Sequence, residues 1–296
     1  MGPYSFALIV DPKDLASPWV RELADNLRPL GVEARALGAD ERLDLALRVE
    51  DFEGAIIACT GQRAAGEVQQ LCELRNLPYS GAGPAACALA FDKVRSRQLL
   101  AYHNLPVPAA VALGRERGVD KRAIELLGWP CYLKPRRGSD GAGVSRVATL
   151  GDVEGALSEA LEVDDELVLE RAIEGAEYQA VCFGDRVLGV MELRETSLGV
   201  QMVTPPALNR ARIDGLENLA RRAVTALGVD HGFTRVDMLL SERHNELLLE
   251  VEACPPLDPS SVVRRVARAA GLNWARAWTE IATPVLAKVG VRRAAQ

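Results

Sequence analysis

The sequence predicts a small parallel α/β unit at its N-terminal end followed by two α+β units, and three observations carry that reading. Up to about residue 80, strand-like apolar runs alternate with segments of helical periodicity, as in a parallel sheet with crossover helices. Beyond that point, short strands joined by tight loops rich in glycine and proline are mixed with helices. Near the C-terminal end, two alternating apolar segments, 233–240 and 246–251, flank a polar turn and predict an antiparallel hairpin. The expected units are 1–85, 86–175 and 176–296.

In chain order, residues 4–10 are a continuous apolar run closed by Asp11-Pro12, a buried strand and its turn. Val20, Leu23, Ala24, Leu27 and Leu30 have helical spacing, and Gly31 stops the helix. A strand over 32–37, a short helix over 43–49, a strand over 52–59 and a helix over 64–74 complete the first unit. Ligands of such sheets sit beyond the carboxyl ends of the strands, here the loops 11–19 and 60–66. Leu77-Pro-Tyr-Ser-Gly-Ala-Gly-Pro is dense in turn formers and reads as a link. Asp92 is placed to cap a helix over 93–103, and Leu105-Pro-Val-Pro leads into a strand near 109–113. A helix over 120–127, strands over 131–134 and 144–147, a helix over 152–162 and a strand over 166–170 follow. The last unit begins with strands over 178–183 and 186–193, a polar segment 194–210 and a helix over 216–227. After the hairpin come helices over 260–270 and 273–288.

With 35 basic and 41 acidic residues the formal charge is −6, so nothing draws the chain as a whole to nucleic acid or anionic membrane. No apolar run approaches the ~18 residues of a membrane span, and no signal peptide pattern is present. Cys59, Cys72, Cys87, Cys131, Cys182 and Cys254 lack metal or redox spacing and mostly sit in apolar runs, as buried thiols of a reducing cytoplasm do.

Alternation places Arg235 and Asp237 on one face of the first hairpin strand, and Glu250 and Glu252 on one face of the second. Strands pairing around the 241–245 turn bring three carboxylates and a guanidinium together. Carboxylates that close need a cation between them, and an all-oxygen set without Cys or His suits Mg²⁺. A solvated edge hairpin explains the same residues about as well. Lys134 precedes Gly138, Gly141 and Gly143, a strand entering a glycine-rich loop whose amides can approach phosphate oxygens. A plain hairpin turn is the competing account. Taken singly, Lys93, Glu170 and Glu177 fit solvated surface positions better than a site. His103, His231 and His244 have no partners at useful intervals.

In combination these signals resemble an ATP-grasp enzyme, and most closely the D-alanine–D-alanine ligase family. Leu77-Pro-Tyr-Ser-Gly-Ala-Gly with Ala88-Leu-Ala-Phe-Asp-Lys is similar to that family's Pro-Tyr-Thr-Gly and Ala-Leu-Ala-x-Asp-Lys stretches. Thr234-Arg-Val-Asp and Glu250 followed by Pro255 and Ser261 continue the likeness, which covers about residues 54–290. The resemblance implies an N-terminal parallel α/β domain followed by two α+β subdomains sandwiching ATP. It implies that Lys93 and Lys134 hold the ATP phosphates under a loop containing Ser139, Gly141 and Gly143. Glu170 would lie at the adenine hinge and Glu177 at the ribose hydroxyls. Asp237, Glu250 and Glu252 would hold two Mg²⁺ ions, or Mn²⁺ in their place. Arg235 would stabilise charge at the reacting carboxylate, and Ser261 would receive the acceptor's carboxylate. The implied activity is ATP-dependent joining of a small amino-acid-like carboxylate to an amine through an acyl phosphate, in a cytoplasmic protein that can form a homodimer.

Four departures stand beside the likeness. Glu252 takes the place of the family's usual Asn. The first loop, Asp11-Pro-Lys-Asp-Leu-Ala-Ser-Pro, lacks the family's Gly-Gly-x-Ser-x-Glu pattern. Thr60-Gly-Gln-Arg-Ala-Ala-Gly replaces its His-Gly-x-x-Gly-Glu-Asp-Gly loop, and its long lid shrinks to Glu195-Thr-Ser-Leu-Gly-Val-Gln-Met. The expected product is therefore not D-alanyl-D-alanine. An ATP-binding regulatory protein that has lost ligation is the alternative from another class.

Overall fold

A computed structural model describes residues 2–114, 121–139, 141–197 and 199–295. Asp120 at the start of one predicted helix, Asp140 of the glycine-rich loop and Leu198 of the 195–202 segment lie outside them.

The first sheet is parallel, as the alternation predicts. Strand β1 (Tyr4–Val10) leads through α1 (Pro18–Leu27) to β2 (Val32–Gly38), then through α2 (Leu43–Val49) to β3 (Gly54–Ile57) and α3 (Val68–Leu74). Strand order is β2-β1-β3, so both candidate loops open at the same edge, beyond β1 and β3. The expected helix over 64–74 is regular only from Val68, because Gly66 adopts φ +118°. A Cβ there would lie 2.8 Å from the Pro84 carbonyl oxygen, so the turn needs glycine.

Helix α4 (Pro84–Phe91) follows, then α5 (Lys93–Tyr102). The second sheet is antiparallel, order β4-β7-β5-β6. It comprises β4 (Ala110–Gly114), α6 (Lys121–Leu127), β5 (Cys131–Pro135), β6 (Ser145–Val147), α7 (Leu150–Val163) and β7 (Glu166–Arg171). The third sheet runs through β8 (Ala176–Phe183), β9 (Arg186–Thr196), β10 (Gly199–Val203), α8 (Arg210–Leu227), β11 (Phe233–Ser241) and β12 (Asn245–Glu252). Its order is β10-β9-β8-β11-β12, with α9 (Val262–Ala269) and α10 (Trp274–Ala295) completing the chain. The polar segment 194–210 contains β10, paired to β9, with the alternating Val200 and Met202 on an exposed edge.

Two cores hold the third sheet in place. One buries Tyr178, Ala180, Val236 and Met238 against α8 and α4. The other joins Phe6 and Leu8 of β1 to Val181, Met191 and Phe233 through Val263 of α9 and Trp278 and Val285 of α10. Trp278 is 1% exposed and meets Phe233 edge-on at 6.4 Å. Burial of an aromatic side chain of this kind stabilises by about 1.5–3 kcal/mol. The first sheet is thereby locked to the hairpin sheet, which fixes its strand ends beside the hairpin. Among the described residues no helix is long and apolar enough to cross a membrane. All six cysteines are free, and burial pushes the thiols of Cys59, Cys72 and Cys182 up to about 12, as expected of packing residues.

Candidate active site

Between the second and third sheets lies a cavity of about 310 Å³. Lys93, Lys134, Ser139, Gly141, Glu170, Glu177, Asp237 and Glu250 line it, bringing together residues spread over more than half the chain. Gly143 sits behind it. At φ +67°, an added Cβ would lie 3.1 Å from Ala160 Cα of α7, so glycine lets the loop pack on that helix. Arg235 and Glu252 stand two pairs further along the hairpin, on the same face. Ser261 is not among the lining residues. It is the N-cap of α9, its hydroxyl accepting from the Arg264 amide at 3.3 Å and donating to the Asp258 carbonyl at 2.7 Å.

The strands pair around the expected turn, but counted from Ser241–Asn245 alone Asp237 would face Leu249, and a bulge that skips Leu249 sets the pairs at the site. Arg235 stands opposite Glu252 and Asp237 opposite Glu250, all on the cavity face, with a bulge just after Asp237. Arg235 donates from Nε and Nη2 to the two Asp237 oxygens at 2.7 and 2.9 Å. Its Nη1 meets Glu252 Oε2 at 2.7 Å. Burial works against the Arg235 charge, but Asp237, Glu252 and Glu250 outweigh it and push its pKa further up.

Lysine placement follows from two buried carboxylates. Asp92 caps α5, accepting from the amides of Val94 and Arg95 at 3.1 and 3.0 Å. It also receives Arg136 Nε and Nη2 at 2.7 and 2.6 Å. The Lys93 amide donates to the Arg136 carbonyl at 3.0 Å. Lys93 Nζ then reaches the Gly138 carbonyl at 2.7 Å and Glu250 Oε1 at 3.0 Å. Lys134 Nζ donates to Glu170 Oε1 at 3.0 Å, while Arg97 of α5 pairs with the other Glu170 oxygen. Glu170, expected at an adenine hinge, lines the cavity but is 3% exposed with both oxygens taken by cations of the chain. Sequence reasoning did not select Arg97, Arg136 or Gln179. Only Gln179 had a local signal, since it is two residues from Glu177 on one strand and shares its face.

The loop ends of the first sheet complete the surroundings. Asp11, just past β1, accepts from the Thr60 amide at 3.1 Å and the Thr60 hydroxyl at 2.8 Å. A Cβ on Gly61 would lie 3.8 Å from Ser139 Oγ, so this edge abuts the glycine-rich loop.

Among the described residues no three His, Cys, Asp or Glu side chains surround a common metal position. Asp237 and Glu252 turn to Arg235, and Glu250 turns to Lys93. The donor set is nevertheless hard oxygen throughout, which fits Mg²⁺ or Mn²⁺.

Two α+β sheet units closed over a cavity with paired lysines, a glycine-rich loop and a carboxylate hairpin define an ATP-grasp ligase. The family model described as D-ala D-ala ligase C-terminus matches residues 99–282. A D-alanine–D-alanine ligase of Stutzerimonas stutzeri is 31% identical over 261 residues, covering 84% of this chain and 82% of the relative. One from Bordetella parapertussis is 30% identical over 284 residues, covering 90% and 88%. In fold, the Bacillus anthracis D-alanine–D-alanine ligase solved with ATP superposes with TM-score 0.86 at 22% identity, covering 98% of this chain and 99% of that one. The VanG D-Ala:D-Ser ligase of Enterococcus faecalis superposes with TM-score 0.81 at 18% identity, covering 96% and 99%. The chain belongs to the D-alanine–D-alanine ligase family.

Proposed function

We propose that this ATP-grasp ligase converts a small amino-acid-like carboxylate to an acyl phosphate and joins it to an amine, on a substrate pair other than two D-alanines. The units 1–85, 86–175 and 176–296 would close around nucleotide and substrates. One observation carries the reading: inside the cavity, cations and carboxylates of the chain are paired with one another, Lys93 with Glu250 and Lys134 with Glu170. A metal-bound triphosphate supplies both a polyanion and a cation. Lys93 can therefore pass to phosphate and Glu250 to metal without leaving either charge buried alone.

In that state Lys93 and Lys134 would neutralise phosphate oxygens, and the amides of the 138–143 loop would close over them. Glu170, clamped by Arg97, would keep Lys134 aimed into the cavity. Glu177 would meet the ribose hydroxyls. Asp237, Glu250 and Glu252 would hold two Mg²⁺ ions, or Mn²⁺, whose contribution is to neutralise and orient the transferring phosphoryl group. Arg235, kept charged by its carboxylate neighbours, would stabilise the carboxylate oxygen as phosphate arrives. Ser261, at the start of α9, would offer its hydroxyl to the acceptor's carboxylate.

Support for a changed substrate comes from the loops beyond β1 and β3. Asp11 is tied to Thr60 there, and neither loop carries the family's ammonium and histidine contacts. ADP release against a panel of amino acids and small carboxylates, with product mass determined, tests the proposal. A distinct pair should dominate. Fast formation of D-alanyl-D-alanine would refute the substrate change, and no ADP with any pair would refute ligation.

A further inference from the structure

We infer that Gln179 is an additional ligand of the metal–nucleotide, offering its amide oxygen to the divalent cation beside Asp237. The inference rests on the nucleotide-binding reading above and adds a residue to it.

Gln179 lies on β8 directly opposite Asp237 of β11, which lies directly opposite Glu250 of β12. The three side chains form one row across three strands, all lining the cavity. Direct neighbours in such a row have Cβ atoms about 4.5–5.5 Å apart, within reach of one ion. Asp237 and Glu250 each have a cation of the chain for a partner. The Gln179 oxygen is buried and, among the described residues, has no hydrogen-bond partner.

Its surroundings explain why. Across β9 its neighbour is Met191, and along its own strand on the same face stand Glu177 and Val181. Val181 and Met191 are apolar, and an ionised Glu177 or Asp237 can only accept. Arg235, on the same face of β11, has Nε and Nη2 on Asp237 and Nη1 on Glu252. An amide N–H on this face has acceptors to meet, whereas the two lysines that line the cavity donate elsewhere, Lys93 to Gly138 and Glu250 and Lys134 to Glu170. What satisfies an oxygen in a row of oxygens is a cation. The terminal amide torsion of glutamine is broad, so the oxygen can turn into the cavity without giving up a hydrogen bond. A neutral amide oxygen also adds a hard ligand without adding to the three carboxylate charges nearby.

The test measures binding of ADP alone and of Mn²⁺·ADP by titration calorimetry, for the wild type, Gln179→Leu and Gln179→Glu, with thermal unfolding of each ligand-free protein. Gln179→Leu should weaken Mn²⁺·ADP by about tenfold, as loss of a metal-site partner does. It should leave ADP alone unchanged and raise the ligand-free unfolding midpoint, because a buried unpaired acceptor has gone. Gln179→Glu keeps an oxygen in place and should bind Mn²⁺·ADP at least as well as the wild type. Equal Mn²⁺·ADP affinity in wild type and Gln179→Leu overturns the inference, as does a parallel loss of metal-free ADP binding, which would mark a packing role. If instead the wild type binds neither form, the nucleotide-binding reading itself fails and takes the inference with it.

Discussion

Asp92 and Arg136 meet in a two-fold hydrogen bond at the start of α5, 2.7 Å from Nε and 2.6 Å from Nη2. The contact ties together the two segments that carry the cavity lysines. Lys93 follows Asp92 directly, and Lys134 lies two residues before Arg136. The Lys93 amide, bound to the Arg136 carbonyl, closes the same link through the backbone. Arg136 is anchored a second time by Glu166 at 2.7 Å.

Arg136→Ala should therefore cost both stability and nucleotide affinity. Removing one partner of a buried ion pair typically costs about 3–5 kcal/mol, because the other charge stays buried. Asp92 keeps its two amide donors, so the lower end of that range is expected. Urea unfolding and ATP titration of the same protein check this. A variant that loses stability but binds ATP normally would show that the pair does not position the lysines.

Acid should titrate the same link. Burial pushes the Asp92 carboxyl up, but the Arg136 hydrogen bonds and the amides of Arg95 and Val94 outweigh it and hold the group below its ordinary range. A folded pKa below the unfolded one contributes stability that is fully present above the unfolded value, ~3.9, and is lost as pH falls through the folded value. The stability difference between wild type and Asp92→Asn should be largest near neutrality and shrink below about pH 4. Urea midpoints across that window decide it, and a gap independent of pH rules the assignment out.

Lys134→Ala should abolish tight ATP binding while the protein still folds. The fold survives because Arg97 continues to neutralise buried Glu170 when the lysine is gone. The loss for a buried charge partner is about 2–5 kcal/mol in binding. Unchanged ATP affinity in a folded variant would remove Lys134 from the phosphate site.

What the sequence could and could not disclose follows from the range of each signal. The hairpin was legible because period-two alternation flanks a polar turn. The Arg235–Glu252 and Asp237–Glu250 pairs were not, since they depend on the bulge after Asp237, without which Asp237 would face Leu249 and Glu250 the other side of the sheet. The glycine-rich loop and the Asp92 cap were legible from local sequence. Helix α4 was not, since Pro84–Phe91 is apolar all round, without an amphipathic stripe, and starts inside a run of turn formers. Arg136 escaped notice because its partner lies 44 residues away, and only folding reveals which of two adjacent arginines turns inward. Glu170 illustrates the converse. Its position on a strand was legible, but its clamp by Arg97, 73 residues away, was not.

Glu252 is the residue at which metal binding is most sharply tested. Asp237, Glu250 and Glu252 carry three formal negative charges, and Arg235 and Lys93 return two positive ones, leaving one carboxylate charge in excess. An ion entering between them balances that excess. Glu252→Gln keeps a hard oxygen but removes a charge, so the Mg²⁺ concentration for half-maximal ADP release should rise several-fold. Metal-free nucleotide binding should hardly change, because Lys93 and Lys134 are untouched. Arg235 would keep its two bonds to Asp237, so the hairpin should fold as before. Glu252→Asn places the family's usual residue on the strand and should be tolerated, provided the shorter amide still reaches the ion. If Glu252 serves only to hold Arg235, both substitutions leave the Mg²⁺ dependence alone and act through Arg235 on maximal rate. Mg²⁺ titrations of ADP release for the three proteins separate the cases: curves that superimpose after scaling to their plateaus remove Glu252 from the metal site.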